Sequence, residues 1–434
     1  MPRGLHGLLT SRVLQLTTET ESMRILVVSN LYPPPWLGGY ELACKDVVEG
    51  LRARGHTVYV LTSSYKAEDC PPEPHVFRLL NHYWGSYPEG ALTLTWWQAA
   101  RSMWLDFANY RTVKECVQQL QPDFAYLWNL QRVSPVPILA AVRESGIPFV
   151  IHLMGYFLRD TRLPDELVGP MPEWLKPIAW KAREIVRRII DPYVMKNPLI
   201  AMSETVKREH LRAGFPPENI QVIYHGIRTD LQHGEEDFDL NKVGEGRPFK
   251  LLFAGALIPS KGVDTLILAL SRLVQLKGVR DIHLDIIGLG AQQYIEELYA
   301  LIRQHKLDGF VSFAGFVPRQ DLLTKYREYD VFILPTKWQE PFGLVVIEAM
   351  ASGVPVIASD IAGPAEIITH RETGMLVPSG DNVKLAIAIN DLMCDEGLRK
   401  RIQENALALV RDRFDIERSI DRIESYIGER IRQT

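Results

Sequence analysis

The sequence of 434 residues is poor in cysteine, has no long apolar run and carries no basic excess. None of its four cysteines belongs to a CxxC pair, and they are too sparse for a disulfide scaffold or a structural zinc site. No apolar run reaches the ~18 residues that suggest a transmembrane helix. A formal net charge of −4 argues against a nucleic-acid-binding protein. We therefore expect a reduced, cytoplasmic protein with no nucleic-acid partner.

Strands and helices alternate in both halves of the chain, which is typical of parallel sheets with helices on both faces. Each half opens with a strand, a glycine-containing loop and a helix, so we predict an α/β fold of two doubly wound, Rossmann-like domains facing a cleft. The segment 231–247 is charged, contains three glycines and lacks apolar periodicity, as expected of a linker. The predicted parts are a disordered extension or start-site artefact (1–22), an N-terminal domain (23–230), the linker (231–247), a C-terminal domain (248–415) and a terminal helix (416–434).

The most informative stretch begins at Glu340. Gly343 lies at the expected start of a helix, with the Glu340 carboxylate before it and the Glu348 carboxylate inside the helix. A helix N-terminus has unpaired N–H groups and about half a positive charge, so it suits a phosphate group. Carboxylates on either side can accept hydrogen bonds from sugar hydroxyls. Phosphate and sugar together suggest a nucleotide-sugar.

Two glycine-containing loops join a strand to a helix, one at the start of each half. In the first loop, Gly38 and Gly39 let backbone N–H groups approach a ligand, although a simple tight turn explains them equally well. The second loop contains Gly255 and Lys261. An ammonium group can neutralise a diphosphate leaving group without a metal, whereas a solvated loop lysine is the commoner case.

Other motifs bear on different chemistries. Gly288-Leu289-Gly290 follows a predicted strand, but Gln293 stands where a dinucleotide fingerprint has its third glycine, which argues against a dehydrogenase. The sequence has no HExxH motif, and it predicts no metal site and no cofactor.

His152 lies near the end of a predicted strand and faces either the cleft or the core, because side chains alternate along a strand. The tail from Val383 to Ile427 is predicted to be helical.

A series of motifs from about Met23 to about Asp415 resembles the retaining nucleotide-sugar glycosyltransferases of family 4 (glycosyl transferases group 1), which have the GT-B fold. These motifs stand in the family's order and cover most of the chain. They are Gly38-Gly39-Tyr40-Glu41, Gly55-His56-Thr57-Val58, Ala201-Met202-Ser203, Val222-Ile223-Tyr224-His225-Gly226, Phe253-Ala254-Gly255 to Lys261-Gly262, Ile286-Ile287-Gly288, Phe313-Ala314-Gly315, Glu340 through Glu348, and Gly363-Pro364-Ala365-Glu366 with Gly374.

The resemblance implies donor-binding roles for the stretch that begins at Glu340. It implies that Glu348 binds the nucleotide ribose and that Glu340 binds hydroxyls of the donor sugar. Three backbone N–H groups would meet the sugar or its diphosphate, those of Phe342, Gly343 and Leu344.

The resemblance also implies a catalytic arrangement. Lys261, in the Gly255 loop, would pair with the diphosphate, while Gly38 and Gly39 would let the N-terminal domain close over it. The family retains the anomeric configuration without an evident protein nucleophile and usually without a metal. In the usual proposal the leaving phosphate helps to deprotonate the acceptor on the same face of the sugar. The terminal helix crosses back to the first domain in relatives, which would let domain closure gate the reaction.

Two positions depart from the family pattern. Ala256 stands where the family usually has an arginine, so one of two cations for the diphosphate is missing. Arg183, Arg187 or a main-chain contact is the candidate replacement. Met154 stands where the family often has a histidine. Either His152, two residues earlier on the same face of the strand, replaces it and acts in catalysis, or no histidine is used.

The acceptor side is less well defined. The segment 170–192 carries basic residues and tryptophans at helical spacing, as a peripheral membrane helix does, although packing on its own domain is the favoured interpretation. Four tryptophans lie where this family binds acceptors: Trp84, Trp96, Trp97 and Trp104. Aromatic faces suit sugars or lipids, but most aromatic side chains are simply buried. A saccharide or a lipid-linked acceptor fits this region.

Three functions stay open on the sequence. The leading one is a glycosyltransferase of the hexosyltransferase type, as in cell-surface polysaccharide or glycolipid synthesis. The second is a sugar-nucleotide epimerase or hydrolase, for which His152 and His225 are the candidate acid/base groups. The third is a non-catalytic nucleotide-sugar-binding partner, favoured only by Ala256. The sequence selects neither the base, the sugar, the acceptor nor the oligomeric state.

Overall fold

The computed structural model describes residues 22–34, 38–83, 106–160, 177, 181, 191, 194–228 and 247–433. Parts of the sequence predictions lie outside these residues, namely 1–21, 231–246, most of 170–192 with Arg183 and Arg187, and Trp84, Trp96, Trp97 and Trp104. The membrane contact and the domain boundaries therefore stay predictions. Within the described ranges, no helix combines the length and the apolarity needed to cross a membrane.

The first unit of the structure is a parallel sheet of seven strands with its helices. The strands are β1 (Arg24–Ser29), β2 (Thr57–Ser63), β3 (Val76–Leu80), β4 (Phe124–Trp128), β5 (Phe149–Leu153), β6 (Leu199–Ala201) and β7 (Ile220–Val222). The helices are α1 (Gly39–Ala53), α2 (Phe107–Leu120), α3 (Pro135–Glu144), α4 (Phe157–Asp160) and α5 (Glu204–Arg212). The spatial order is β3-β2-β1-β4-β5-β6-β7. Strand β4 is buried at every position, as expected for a parallel strand covered on both faces.

The second unit repeats this design with six parallel strands. They are β8 (Phe249–Ala254), β9 (Ile282–Ile287), β10 (Val311–Gly315), β11 (Val331–Leu334), β12 (Val356–Ser359) and β13 (Met375–Val377), in the order β10-β9-β8-β11-β12-β13. The helices are α6 (Val263–Leu276), α7 (Gln292–Gln304), α8 (Arg319–Lys325), α9 (Leu344–Ala351), α10 (Ala362–Ile367), α11 (Asn382–Cys394), α12 (Glu396–Arg413) and α13 (Ile416–Arg432). The predicted α/β class with two doubly wound parallel sheets is confirmed.

The predicted tail from Val383 to Ile427 is helical and forms three helices, the last of which corresponds to the predicted terminal helix 416–434. Asp395 is the N-cap of α12, and its Oδ1 accepts a hydrogen bond from the Leu398 N–H at 2.9 Å. Asp415 caps α13 in the same way, accepting from the Glu417 N–H at 2.8 Å. An aspartate that satisfies the first N–H groups begins a new helix, so each cap marks a helix boundary.

The last helix, α13, returns to the first unit and packs against α1. Ile420 is almost fully buried there, and a Cβ added to Gly50 of α1 would lie 2.1 Å from the Ile420 Cδ1. Arg54, which follows α1, contacts three carboxylates of α13 at 2.7 to 3.2 Å: Glu417, Asp421 and Glu424. The end of the chain thus joins the second half of the molecule back to the first unit.

Candidate active site

The start of helix α9 is held in an unusual backbone conformation. Its N-cap, Gly343, has a φ of +100°, which side chains other than glycine rarely adopt. A Cβ added to Gly363 would lie 2.3 Å from the Phe342 carbonyl oxygen, so this position also needs glycine. The Gly363 N–H donates to the Glu340 carbonyl at 2.9 Å. These contacts fix the chain from Glu340 to Leu344. The first N–H groups of α9 lie here, and they have no partner within the helix.

Glu340 forms an ion pair with Lys261, and both side chains are largely buried, at 11% and 19% exposure. Lys261 ends the 3₁₀ turn Pro259–Lys261. Gly262 follows with a φ of +73°, and a Cβ there would lie 1.9 Å from the Pro335 carbonyl oxygen. The loop after β8 therefore packs closely against the segment that follows β11. This contact places the ammonium group beside the carboxylate that precedes α9.

Glu348 lies inside α9, is 5% exposed, and contacts Arg319, which the sequence did not identify as a site residue. Its Oε1 accepts a hydrogen bond from Arg319 Nε at 2.6 Å. Arg319 Nη1 reaches Asp46 of α1 at 3.0 Å. Burial raises the pKa of the Glu348 carboxyl, and Arg319 opposes that rise. One feature of Arg319 indicates a role outside its own helix. It is a cation at the first position of α8, where it opposes the helix dipole.

The first glycine loop meets this site from the other unit. The Gly38 N–H donates to Glu41 Oε2 at 2.9 Å at the start of α1. A Cβ added to Gly39 would lie 3.1 Å from Leu344 Cδ1. The two units therefore approach each other closely at the start of α9, and small residues at 38 and 39 permit that approach.

The Gly255 loop packs against the loop that contains Gly288. A Cβ added to Gly288 would lie 1.8 Å from the Gly255 carbonyl oxygen, and the Gly255 N–H donates to the Ile287 carbonyl at 3.0 Å. The two strand ends after β8 and β9 are thus in contact. Close packing of the backbone explains Gly288 without a dinucleotide.

Further hydrogen bonds link the two units beside the site. The Glu366 carboxylate of α10 accepts from the Glu204 N–H at 2.8 Å and the Thr205 N–H at 3.0 Å, where α5 begins. Ser203 Oγ donates to the Pro341 carbonyl at 2.6 Å. Because Pro341 lies in the chain that precedes α9, these bonds tie the first unit to the site itself.

Two family models match adjoining parts of the chain. The model for Glycosyltransferase Family 4 matches residues 37–231, and the model for glycosyl transferases group 1 matches residues 235–408. The chain belongs to the family 4 glycosyltransferases. The motif resemblance stated above is thereby confirmed, and the two glycine loops and the α9 stretch all fall inside the matched ranges.

Curated relatives and solved structures are similar to this chain over nearly its whole length. An uncharacterized glycosyltransferase of Methanocaldococcus jannaschii is 27% identical over 412 residues, which are 90% of this chain and 94% of that protein. A glycogen synthase of Mycobacterium tuberculosis is 26% identical over 417 residues, 91% of each chain. The crystal structure of Anabaena HepE with UDP-glucose has a TM-score of 0.68 at 22% identity, covering 95% of this chain and 100% of that one. The predicted GT-B fold is confirmed.

His152, which was predicted for this family 4 site, lies in the first sheet. Its ring is fully buried in the first sheet, where Nδ1 lies 2.5 Å from the Tyr126 hydroxyl and the ring centroid lies 4.5 Å from that of Trp128. Burial holds its pKa well below the usual value. Met154 is equally buried. The structure therefore has the ring in the buried interior of the first unit, and a catalytic role for His152 stays a prediction.

Proposed function

We propose that this family 4 glycosyltransferase takes a sugar from a nucleotide-diphosphate donor and adds it to a saccharide or lipid-linked acceptor, with retention of configuration. The observation that carries this proposal is the start of α9, which is set between two buried carboxylates with Lys261 paired to the first. A phosphate group fits the helix N-terminus, and hydroxyl groups fit the carboxylates. A nucleotide-sugar supplies both kinds of group at once.

In this proposal each donor group has its own partner. The diphosphate lies at the N–H groups of residues 342–344, with Lys261 Nζ beside the leaving oxygen. Glu340 accepts hydrogen bonds from the sugar hydroxyls. Glu348 accepts hydrogen bonds from the ribose. The Lys261–Glu340 ion pair keeps both charges compensated before the donor arrives, which lowers the cost of burying them.

The proposed transfer needs no protein nucleophile. The bond between the sugar C1 and the leaving phosphate oxygen breaks, and the acceptor oxygen forms a bond to C1 on the same face. The acceptor proton passes to the leaving phosphate. Lys261 and the α9 N–H groups stabilise the negative charge that develops on the diphosphate, as preorganised donors do in other enzymes. The reaction is proposed to be metal-independent and to take place in the cytoplasm.

Product analysis with and without acceptors tests the proposal. The purified protein is incubated with UDP-, GDP-, ADP- and TDP-sugars, first alone and then with saccharide and lipid-linked acceptors, with and without EDTA. We expect transfer that requires an acceptor, resists EDTA and retains the anomeric configuration, as determined by NMR. A new sugar nucleotide formed from donor alone would instead support an epimerase. Donor binding with no product from any acceptor would support a non-catalytic partner.

A further inference from the structure

Arg319 connects the two units of the molecule through two carboxylates. Its Nε lies 2.6 Å from Glu348 Oε1, and its Nη1 lies 3.0 Å from Asp46 Oδ2. The exposed fractions of the three side chains are low, at 21% for Arg319, 17% for Asp46 and 5% for Glu348. The arrangement is thus a largely desolvated cation between two anions that come from different units.

The position of Arg319 is not explained by its own helix. It is the first residue of α8, where the positive end of the helix dipole disfavours a cation. Both of its partners lie on other elements, Asp46 on α1 and Glu348 on α9. A guanidinium presents donors in a fixed fork that can serve two carboxylates at once. The contact with α9 therefore accounts for this residue better than helix stability does.

Charges around Glu348 act in opposite directions. Burial and the like charge of Asp46 favour the protonated carboxyl, whereas Arg319 favours the carboxylate. Tyr326, which also faces this group, is fully buried and its pKa is raised well above the usual value, so it stays neutral. His225 faces Asp46 and Arg319, and burial lowers its pKa to about 4, so it is neutral near pH 7. Among the described residues that face Glu348, Arg319 supplies the positive charge.

We propose that Arg319 is a positioning residue of the donor site, which keeps the buried Glu348 ionised and aimed so that it can accept hydrogen bonds from the donor ribose. This inference rests on the proposed function, because it takes the ribose as the ligand of Glu348. A carboxylate can accept about four hydrogen bonds, so the bond from Arg319 to Oε1 leaves capacity for the ribose hydroxyls. The bond to Asp46 ties this arrangement to the first unit.

Two matched variants separate this role from simple bridging between the units. Arg319→Gln and Asp46→Asn both remove the ion pair between the units. The two variants differ in their effect on Glu348. Arg319→Gln removes the cation that compensates its charge, whereas Asp46→Asn removes a neighbouring like charge. Donor affinity is measured by calorimetry at about pH 6, 7 and 8.5, using a nucleotide-sugar that binds the wild-type protein. The diphosphate diester of such a donor does not titrate in this range.

We expect wild-type affinity to be nearly independent of pH. Arg319→Gln should weaken donor binding about 10- to 100-fold near neutral pH, as for the loss of a charge-assisted contact. Its affinity should recover as pH rises, because the carboxyl then ionises without help. Asp46→Asn should stay within about threefold of wild type at every pH. In turnover assays Arg319→Gln should raise KM more than it lowers kcat, and Arg319→Lys should restore the flat profile.

Two results would overturn the inference. One is an Arg319→Gln affinity equal to that of wild type. The other is a loss that is the same at every pH and is matched by Asp46→Asn, which would make Arg319 a bridge between the units and nothing more. A wild-type protein that binds no nucleotide-sugar would give a different answer, since it would refute the proposed function and the ribose contact together.

Discussion

In the proposed transfer, single charges stabilise the leaving diphosphate, and Lys261 is the residue whose removal should show this most clearly. In Lys261→Ala the leaving diphosphate loses its nearest cation, so we expect turnover to fall about 10²- to 10³-fold. The matched control is Lys277→Ala, because Lys277 is exposed at the far end of α6. Steady-state transfer rates of both variants test this. Equal rates for Lys261→Ala and wild type would remove Lys261 from the mechanism.

The sequence predicted some residues of the site and missed others for a physical reason. Glu340, Lys261 and Gly343 belong to short local motifs, so their chemistry is visible in a few consecutive residues. Asp46 and Arg319 are 273 residues apart, and neither lies in a recognisable motif. Their pairing depends on how the two units meet, which no local pattern specifies. His152 shows the same limit. Alternation along a strand allows its side chain to point to either face, and only the packing of the sheet determines that the ring is buried.

At the scale of elements, the start of α9 depends on a glycine from a neighbouring helix. In Gly363→Ala the added Cβ would overlap three backbone atoms of Phe342 at 2.3 to 2.5 Å, so the chain before α9 must shift. We expect the free energy of unfolding to fall by about 1–3 kcal/mol and donor affinity to fall with it, although no polar group is lost. Denaturant unfolding and donor titration measure the two effects.

The control for this variant is Gly309→Ala. A Cβ at Gly309 would have no neighbour within 4 Å, so we expect stability and donor affinity close to those of wild type. If Gly363→Ala behaved like this control, the close approach to Phe342 would not be what holds the start of α9.

Elements differed in how well the sequence specified them. Buried parallel strands such as β4 stand out as continuous apolar runs between turn residues. The separate terminal helix 416–434 was predicted and corresponds to α13, whereas the division between α11 and α12 at Asp395 was missed. At Asp395 one side-chain hydrogen bond to the backbone starts a new helix, and the hydrophobic pattern does not record such a bond.

For the molecule as a whole, the contact of α13 with α1 joins the end of the chain to the first unit. Ile420→Ala should lower the free energy of unfolding by about 2–5 kcal/mol, the usual cost of truncating a buried isoleucine. Ile387→Ala is the matched control, since Ile387 is 49% exposed on α11, and a change within about 0.5 kcal/mol is expected. Denaturant unfolding of both variants gives the comparison. Similar values for the two would show that the α13 contact adds little stability.

The two-unit architecture could be predicted from alternating strands and helices together with the order of the motifs. The placement of α13 on α1 depends on side chains from opposite ends of the chain, such as Ile420 and Gly50. The resemblance to family 4 suggested that placement, whereas periodicity did not.

The central claim is that the start of α9, with Glu348, binds a nucleotide-sugar. It is tested most directly by ligand-induced stabilisation of wild type, Glu348→Gln and the exposed control Glu404→Gln, against UDP, GDP, ADP, TDP and their sugar conjugates. A ligand at about 100 times its Kd should add about 2.7 kcal/mol. We predict one class of nucleotide that stabilises wild type and Glu404→Gln and has little effect on Glu348→Gln. Equal stabilisation of all three proteins, or none by any nucleotide, would contradict this claim.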